Sequence, residues 1–218
     1  MVLVNVAPRQ KNGKKLGHGS VGFYGIEVAR KDNGSPFGYF WHGKTLVVSS
    51  IDGVTLSLVK KLGIADRINV LDIASTSKAL AERGMIDPTV VERIVTTQFR
   101  SYEFLPRVAK WIGDGQAVVS AEQPLETPDA PKAIWWIDSF GNAKTTLLAE
   151  DVSFAEGKEM KTRYGSLPCV PSLKDVPDGV AAVIIGSSGI GDKHFLEIVV
   201  QGGSAAERFG LVSGVLVC

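Results

Sequence analysis

The chain has almost no net charge, and the lack of a net charge excludes one group of partners. Its 24 lysine and arginine residues nearly balance its 23 aspartate and glutamate residues, which gives a formal net charge of +1 at pH 7. A chain without a net positive field does not gather nucleic acid or anionic membrane nonspecifically. We therefore predict neither nucleic acid nor membrane as a partner.

Cysteine and long hydrophobic runs are also scarce. The two cysteines, Cys169 and Cys218, are far apart, and so are the three histidines, His18, His42 and His194. Neither set has a metal-ligand spacing, so the sequence predicts no metal site, and two distant cysteines favour a reducing compartment. No apolar run reaches the roughly 18 residues of a membrane span. These observations predict a cytoplasmic protein.

The composition is that of a packed globular chain, with 218 residues, 44% hydrophobic and 22% charged. In its first half, short apolar runs alternate with helical patterns, and glycine or an Asp-Pro pair marks several helix ends. This alternation predicts an α/β domain with mostly parallel strands. The predicted helices cover residues 54–62, 75–83, a segment starting at Asp87-Pro88, and a segment from Phe104 to about Ile112.

Residues 113–131 are rich in glycine, proline and acidic side chains, and their prolines disfavour a regular element. We place a domain boundary there, which gives an α/β N-terminal domain over residues 1–118 and a C-terminal domain over 119–218. The second part is rich in short β-forming runs separated by turns. It is predicted to be all-β, as a small barrel or a sandwich. Its predicted strands cover residues 133–137, 180–185, 196–200 and 215–217.

An aspartate follows the aromatic strand that contains Trp135 and Trp136, and a Gly141-Asn142 turn comes shortly after it. One interpretation is a plain hairpin, because aspartate and asparagine are common turn residues. The other is a ligand site, since a carboxylate beside tryptophans pairs more strongly with an ammonium group. Glycine and serine at residues 186–189 and 202–206 would leave backbone groups open to a flat ligand.

These segments carry a family resemblance. The pattern I-D-x-F-G-N-x-x-T at residues 137–145, followed by S-x-G and by L-E-I-x-V-x-x-G-S-A-A ending at Ala206, resembles the C-terminal domain of the S-adenosylmethionine hydroxide adenosyltransferases. That family also contains the fluorinase and the chlorinase. Residues 4–8, 47–58 and 97–112 are similar to its N-terminal segments.

The resemblance implies a homotrimer that binds S-adenosylmethionine between the N-domain of one subunit and the C-domain of a neighbour. Water or hydroxide would attack the ribose C5′ and give adenosine and L-methionine. S-Adenosylmethionine would be substrate or ligand, and no separate cofactor is implied.

By position, Asp138 would hold the methionine ammonium, and Ser187 or Ser188 its carboxylate. Asn142 and a stretch of backbone near the C-terminus would read the adenine edge, while Phe140 packs beside the ligand. The full set implied by the resemblance is Asp138, Phe140, Asn142, Ser187, Ser188, Ser204, Ala205 and Ala206.

Three nucleophile-positioning residues of the family are replaced in this chain. The family's aspartate position matches Ala7, its arginine falls near Lys14 or Lys15, and its histidine falls near Phe99 or Arg100. The family's opening strand and helix would precede Met1. We therefore expect a divergent member without its first βα segment.

The sequence leaves the catalytic residues unknown, with two candidates. Arg100 could orient water or stabilise charge, although the sequence favours the plainer interpretation of a solvated arginine on a helix surface. Glu103 is the nearest carboxylate that could act as a base. Three functions remain open: an S-adenosylmethionine-cleaving enzyme, a non-catalytic module that binds S-adenosylmethionine or adenosine, and a scaffold whose ligand has changed.

Overall fold

A computed structural model of the chain describes residues 1–4, 35–97 and 100–218. The positions of Ala7, Lys14, Lys15 and Phe99 lie outside these residues. The described chain divides into two compact units, the first ending at Asp129 and the second covering residues 130–218. The domain limits expected from the sequence, 1–118 and 119–218, remain a prediction.

The first unit contains a five-stranded sheet in the order β1-β3-β2-β4-β5. Among the described strands of this sheet, only the β1–β3 pair is parallel, and the other three pairs are antiparallel. The prediction of mostly parallel strands is therefore wrong here. The strands are β1 (Val2–Val4), β2 (Phe37–His42), β3 (Thr45–Ser50), β4 (Arg67–Leu71) and β5 (Ser120–Pro124).

The physical reason for this difference is a tight turn. His42 and Thr45 are register partners, so only Gly43 and Lys44 join β2 to β3. Such a short connection permits only an antiparallel pair, and the positive φ of 56° at Gly43 suits a turn of this kind.

Helices were predicted at the right places in this unit. Asp87 caps the third helix by accepting the N–H of Thr89 at 2.8 Å, and Gly63 ends the first one in the left-handed conformation. The helix expected over 54–62 begins only at Ser57. The helices are α1 (Ser57–Leu62), α2 (Ile73–Glu82), α3 (Pro88–Thr96), α4 (Arg100–Glu103) and α5 (Leu105–Gly113).

Strand β5 lies in the stretch where no regular element was expected. It forms an antiparallel pair with β4, with Arg67 opposite Pro124. Proline is tolerated there because it stands at the end of a strand at the edge of the described sheet.

Both faces of the first sheet are covered by apolar side chains from helices. On one face, Leu80, Ile94 and Val108 from three helices pack against Phe37 and Val48 of the sheet. On the other face, Leu56 before α1 packs with Phe40 and Ile68. A sheet with helices on it was predicted, and this coarse description is confirmed.

The second unit is a curled, six-stranded half-barrel sheet in the order β6-β7-β11-β10-β9-β8. Its pairs are antiparallel except for β9–β10, which is parallel. The strands are β6 (Ile134–Ile137), β7 (Ala143–Leu148), β8 (Glu159–Thr162), β9 (Gly165–Val170), β10 (Ala181–Ile190) and β11 (Lys193–Val200).

The all-β prediction needs two corrections in this unit. A short helix, α6 (Ala205–Phe209), follows the sheet, because Ser204 caps it and Gly210 ends it with a φ of 61°. Residues 215–217 do not form a strand. Instead, Leu216 makes an isolated bridge to Ala133. Across the ranges that the structure describes, no helix is long and apolar enough to cross a membrane.

The cap of α2 gives a testable pH dependence. The Asp72 carboxylate accepts the N–H and the hydroxyl of Ser75 at 2.9 and 2.7 Å, and these bonds lower the pKa of Asp72. We expect Asp72→Ala to reduce the free energy of unfolding by about 1 kcal/mol at neutral pH. Because the folded pKa is depressed, this contribution is present above the unfolded pKa and is lost as the pH falls through the folded pKa.

Urea unfolding at several pH values measures the effect. Asp72→Asn is the matched control, because asparagine also caps helices but does not titrate. A stability difference between the original chain and Asp72→Ala that stays constant into strong acid would contradict this account.

Candidate functional site

The loop between β6 and β7 is organised by the carboxylate of Asp138. Its Oδ1 accepts the backbone N–H groups of Phe140 and Asn142, each at 3.0 Å, and its Oδ2 accepts the side-chain amide of Asn142 at 3.3 Å. The backbone N–H of Asp138 donates to the carbonyl of Asn142 at 3.1 Å. The hairpin interpretation is thus confirmed, and Asp138 is the residue that shapes its loop.

The same contacts set the charge state of Asp138. Partial burial raises the pKa of Asp138. The hydrogen bonds from Asn142 and Phe140 and the nearby ammonium of Lys144 together lower it by more, so the pKa lies below its ordinary value. The carboxylate is therefore ionised at neutral pH. An ionised, half-buried carboxylate can bind an ammonium group.

This loop packs directly against the start of α6. The carbonyl of Gly141 accepts the N–H of Ala206 at 2.9 Å. A side chain at Gly141 would collide with Ser204, and the φ of 80° there also favours glycine. Ser204 in turn accepts the N–H of Glu207 at 3.1 Å. The segments 138–142 and 204–206, which the sequence assigned to one ligand, thus lie side by side.

Within this second segment, the side chain of Ala205 is fully buried in the core. Any contact of Ala205 with a ligand must therefore use its backbone. The N–H of Ala206 already donates to Gly141.

Two charged residues that sequence reasoning missed lie behind this loop. Lys144 Nζ is 2.7 Å from Glu197 Oε1 and 3.7 Å from Asp138 Oδ2. The side chains are 15% exposed for Lys144, 6% for Glu197 and 21% for Asp138. Lys144 and Glu197 are register partners on β7 and β11. They form an ion bridge that extends from Asp138 into the sheet.

Glu197 extends this bridge to the third predicted segment. Its Oε1 also accepts the backbone N–H of Ser187 at 3.1 Å. A side chain at Gly186 would collide with Glu197, so glycine is what lets β10 approach the carboxylate. The ion bridge therefore connects the Asp138 loop to Ser187.

The hydroxyl of Ser188 is a buried polar group with no hydrogen-bond partner among the residues that the structure describes. It lies on β10 where the register with β11 shifts between Ile185 and Gly189. Bulges re-aim side chains, and an unsatisfied buried hydroxyl is costly, so such a group is a candidate ligand contact. Phe140, by contrast, is 77% exposed at the loop tip and can cover a ligand only from outside.

A sequence signal for Lys144 and Glu197 did exist. Each stands in a strand whose other residues are mostly buried, in A-K-T-T-L-L and in F-L-E-I-V-V. A charged residue in such a run must be paired, because an isolated buried charge is strongly unfavourable. Two strands with opposite single charges are thus candidates for neighbours in the sheet.

The two catalytic candidates lie in the first unit. Glu103 is 13% exposed and forms ion pairs with Arg93 at 3.3 Å and Arg107 at 3.4 Å, which join α3, α4 and α5. Arg100 begins α4. Their catalytic roles remain predictions. Within residues 1–4, 35–97 and 100–218, no three His, Cys, Asp or Glu residues are grouped to hold a metal.

Comparison with known proteins gives two findings on sequence. Residues 132–218 match the family model described as the SAM hydroxide adenosyltransferase C-terminal domain. The chain is 34% identical over 98 residues to a Thermus thermophilus protein named (R)-S-adenosyl-L-methionine hydrolase, a match that covers 44% of this chain and 35% of that protein. The chain thus spans about a third of the length of this curated relative.

A solved structure shares the fold. The crystal structure of an uncharacterized conserved protein from Thermotoga maritima is similar with a TM-score of 0.54, and the match covers 83% of this chain and 69% of that one. The sequence identity is 17%, so this likeness concerns the fold alone.

The burial of the ion bridge gives a testable prediction about stability. We expect Lys144→Met to lower the free energy of unfolding by about 3 kcal/mol, because it leaves the Glu197 carboxylate buried and unpaired. Adding Glu197→Gln to the same chain should restore most of the loss, since the most buried carboxylate is then neutral and Asp138 keeps its hydrogen bonds from Phe140 and Asn142. Urea denaturation followed by tryptophan fluorescence measures both variants.

Lys110→Met is the matched control. Lys110 pairs with Asp114 at 2.6 Å, but its side chain is 72% exposed. Removing an exposed pair should change the free energy of unfolding by less than about 1 kcal/mol. Equal losses in Lys144→Met and Lys110→Met would show that burial of the bridge contributes nothing.

Proposed function

We propose that the chain belongs to the S-adenosylmethionine hydroxide adenosyltransferase family, whose C-terminal domain residues 132–218 match, and that it binds S-adenosylmethionine and hydrolyses it to adenosine and L-methionine. The observation that carries this proposal is the ionised Asp138 loop. It lies against the start of α6 and is connected to Ser187 in the part of the chain that matches the family.

The amino-acid part of the ligand would bind across the ion bridge. Its ammonium would approach Asp138 Oδ2, which has a weaker set of partners than Oδ1, namely an amide at 3.3 Å and an ammonium at 3.7 Å. Its carboxylate would be held at Ser187 or Ser188, where one buried hydroxyl has no partner in the structure. Both contacts would be hydrogen bonds to a charged group, which are stronger than neutral ones.

The charge of the site suits this ligand. Two carboxylates, Asp138 and Glu197, surround the single ammonium of Lys144, so the cluster carries one net negative charge. S-Adenosylmethionine carries a net positive charge, from a sulfonium and an ammonium against one carboxylate. In a partly buried site, such opposite charges attract more strongly than they would in water.

The adenosine part would lie on the loop side of the site. Asn142 and the backbone of residues 204–206 would contact the adenine edge, and Phe140 would cover it. Because Gly141 and Ser204 are in close contact, these groups have a fixed spacing before any ligand arrives. A preformed site loses less conformational entropy on binding.

The proposed reaction needs little covalent help from the protein. The sulfonium is an intrinsically good leaving group, so the enzyme mainly has to align water or hydroxide in line with the C5′–S bond and limit its solvation. The C5′–O bond forms as the C5′–S bond breaks, and the sulfur keeps the electron pair as the thioether of methionine. If water is the nucleophile, its oxygen then releases one proton to the solvent, whereas attack by hydroxide gives adenosine directly. Arg100 is a candidate to orient the water.

A second function is favoured by specific observations in the N-terminal half. Ala7 stands where the family has an aspartate, and Glu103 already pairs with two arginines. On this alternative, the protein binds S-adenosylmethionine or adenosine without turnover. A homotrimer with sites between subunits belongs to either proposal, and light scattering of the purified protein tests it.

Incubation with S-adenosylmethionine separates these functions. We expect adenosine and L-methionine to accumulate in equal amounts, measured by chromatography. S-Adenosylhomocysteine is the matched control and should give no product, because breaking its C5′–S bond would have to release a thiolate anion, a poorer leaving group than a neutral thioether. Binding without product would favour the binding module, and no binding of either compound or of adenosine would favour a changed ligand.

Asp138→Asn tests the ammonium contact. The amide keeps the size of the side chain but removes its charge, so S-adenosylmethionine should bind about tenfold more weakly or worse, while adenosine should be affected little. Calorimetric titration measures both ligands. Asp129→Asn removes the charge of an exposed ion pair with Lys60 and serves as the control. Unchanged S-adenosylmethionine affinity in Asp138→Asn would rule out this contact.

A further inference from the structure

Lys144 has two carboxylates within reach, and it is held by only one of them. Its ammonium is at hydrogen-bond distance from Glu197 Oε1, at 2.7 Å, but at 3.7 Å from Asp138 Oδ2. Asp138 Oδ2 is the oxygen proposed to receive the ammonium of the ligand. The Lys144 ammonium can therefore compete with the ligand ammonium for Asp138 Oδ2, because a short movement of its side chain would bring it to this oxygen.

We infer that Glu197 is a positioning residue, which holds the Lys144 ammonium away from Asp138 and so leaves Asp138 Oδ2 to the ammonium of the ligand. This inference rests on the proposed function. It assigns a role to two residues that need not touch the ligand, and it makes Lys144 a determinant of affinity through its position alone.

The geometry explains why Glu197 can do this. Its side chain is 6% exposed, its Oε1 accepts the N–H of Ser187 at 3.1 Å, and Gly186 leaves no space between the carboxylate and β10. The carboxylate is thus fixed to the sheet. Lysine, in contrast, has a long flexible side chain, so its ammonium can move to whichever neighbouring carboxylate attracts it more strongly.

The consequence of neutralising Glu197 follows from the charges. A glutamine at this position still accepts a hydrogen bond but no longer attracts the lysine as an ion. Asp138 is then the remaining carboxylate that the structure places beside Lys144 Nζ. A lysine ammonium drawn to Oδ2 would repel a second ammonium and occupy its acceptor.

Two variants test this role by calorimetric titration with S-adenosylmethionine and with adenosine, which lacks the amino-acid part. Glu197→Gln should weaken S-adenosylmethionine binding about tenfold and change adenosine binding by less than about twofold. The double variant Glu197→Gln/Lys144→Met removes the competitor as well. It should recover S-adenosylmethionine binding to within about threefold of the original chain.

Selective loss and recovery of S-adenosylmethionine binding is the decisive readout. If Glu197 acted only by stabilising the fold, Glu197→Gln would weaken adenosine and S-adenosylmethionine binding together. Thermal unfolding of each variant shows whether it is folded at the temperature of the titration. If Glu197→Gln alone does not fold, weak S-adenosylmethionine binding by a folded double variant would still overturn the inference.

Glu122→Gln is the matched control. Glu122 forms an exposed ion pair with Arg67 at 2.8 Å in the first unit, and its substitution should leave both affinities unchanged. Weakened binding in both the single and the double variant, or unchanged binding in Glu197→Gln, would overturn the inference alone. If the original chain binds neither ligand, the proposed function fails, and the inference fails with it.

Discussion

The ion bridge from Asp138 through Lys144 to Glu197 is the interaction on which the candidate site depends. A charge as buried as that of Glu197 must be compensated, and Lys144 and the N–H of Ser187 compensate it at 2.7 and 3.1 Å. The same contacts connect the β6–β7 hairpin to the β10–β11 hairpin. The relative position of Asp138 and Ser187 therefore depends on satisfying one buried carboxylate.

Two glycines make this arrangement possible. Gly141 lets the Asp138 loop lie against Ser204, and Gly186 lets β10 approach Glu197. At either place a side chain would push the segments apart. The candidate site is thus built by close approach of the backbone in the half-barrel sheet, with few side chains.

Sequence patterns predicted the local features well and the long-range features poorly. Helix ends such as Asp87 and Gly63 follow local rules, and the Asp138 hairpin was recognisable from its turn residues. The predicted strand direction in the first sheet was wrong, because an alternation of strands and helices does not specify direction, whereas the two-residue turn after His42 makes β2 and β3 antiparallel. The Lys144–Glu197 pair was missed because their partnership depends on which strands become neighbours, and single-sequence periodicity does not specify that.

The central claim is that the bridge presents Asp138 Oδ2 to an ammonium group of S-adenosylmethionine. A crystal structure of the protein grown with this compound tests it most directly. The account predicts the ligand ammonium within hydrogen-bond distance of Asp138 Oδ2, with Lys144 still on Glu197. A ligand bound elsewhere, or a Lys144 ammonium occupying Asp138 Oδ2 beside the bound ligand, would contradict it.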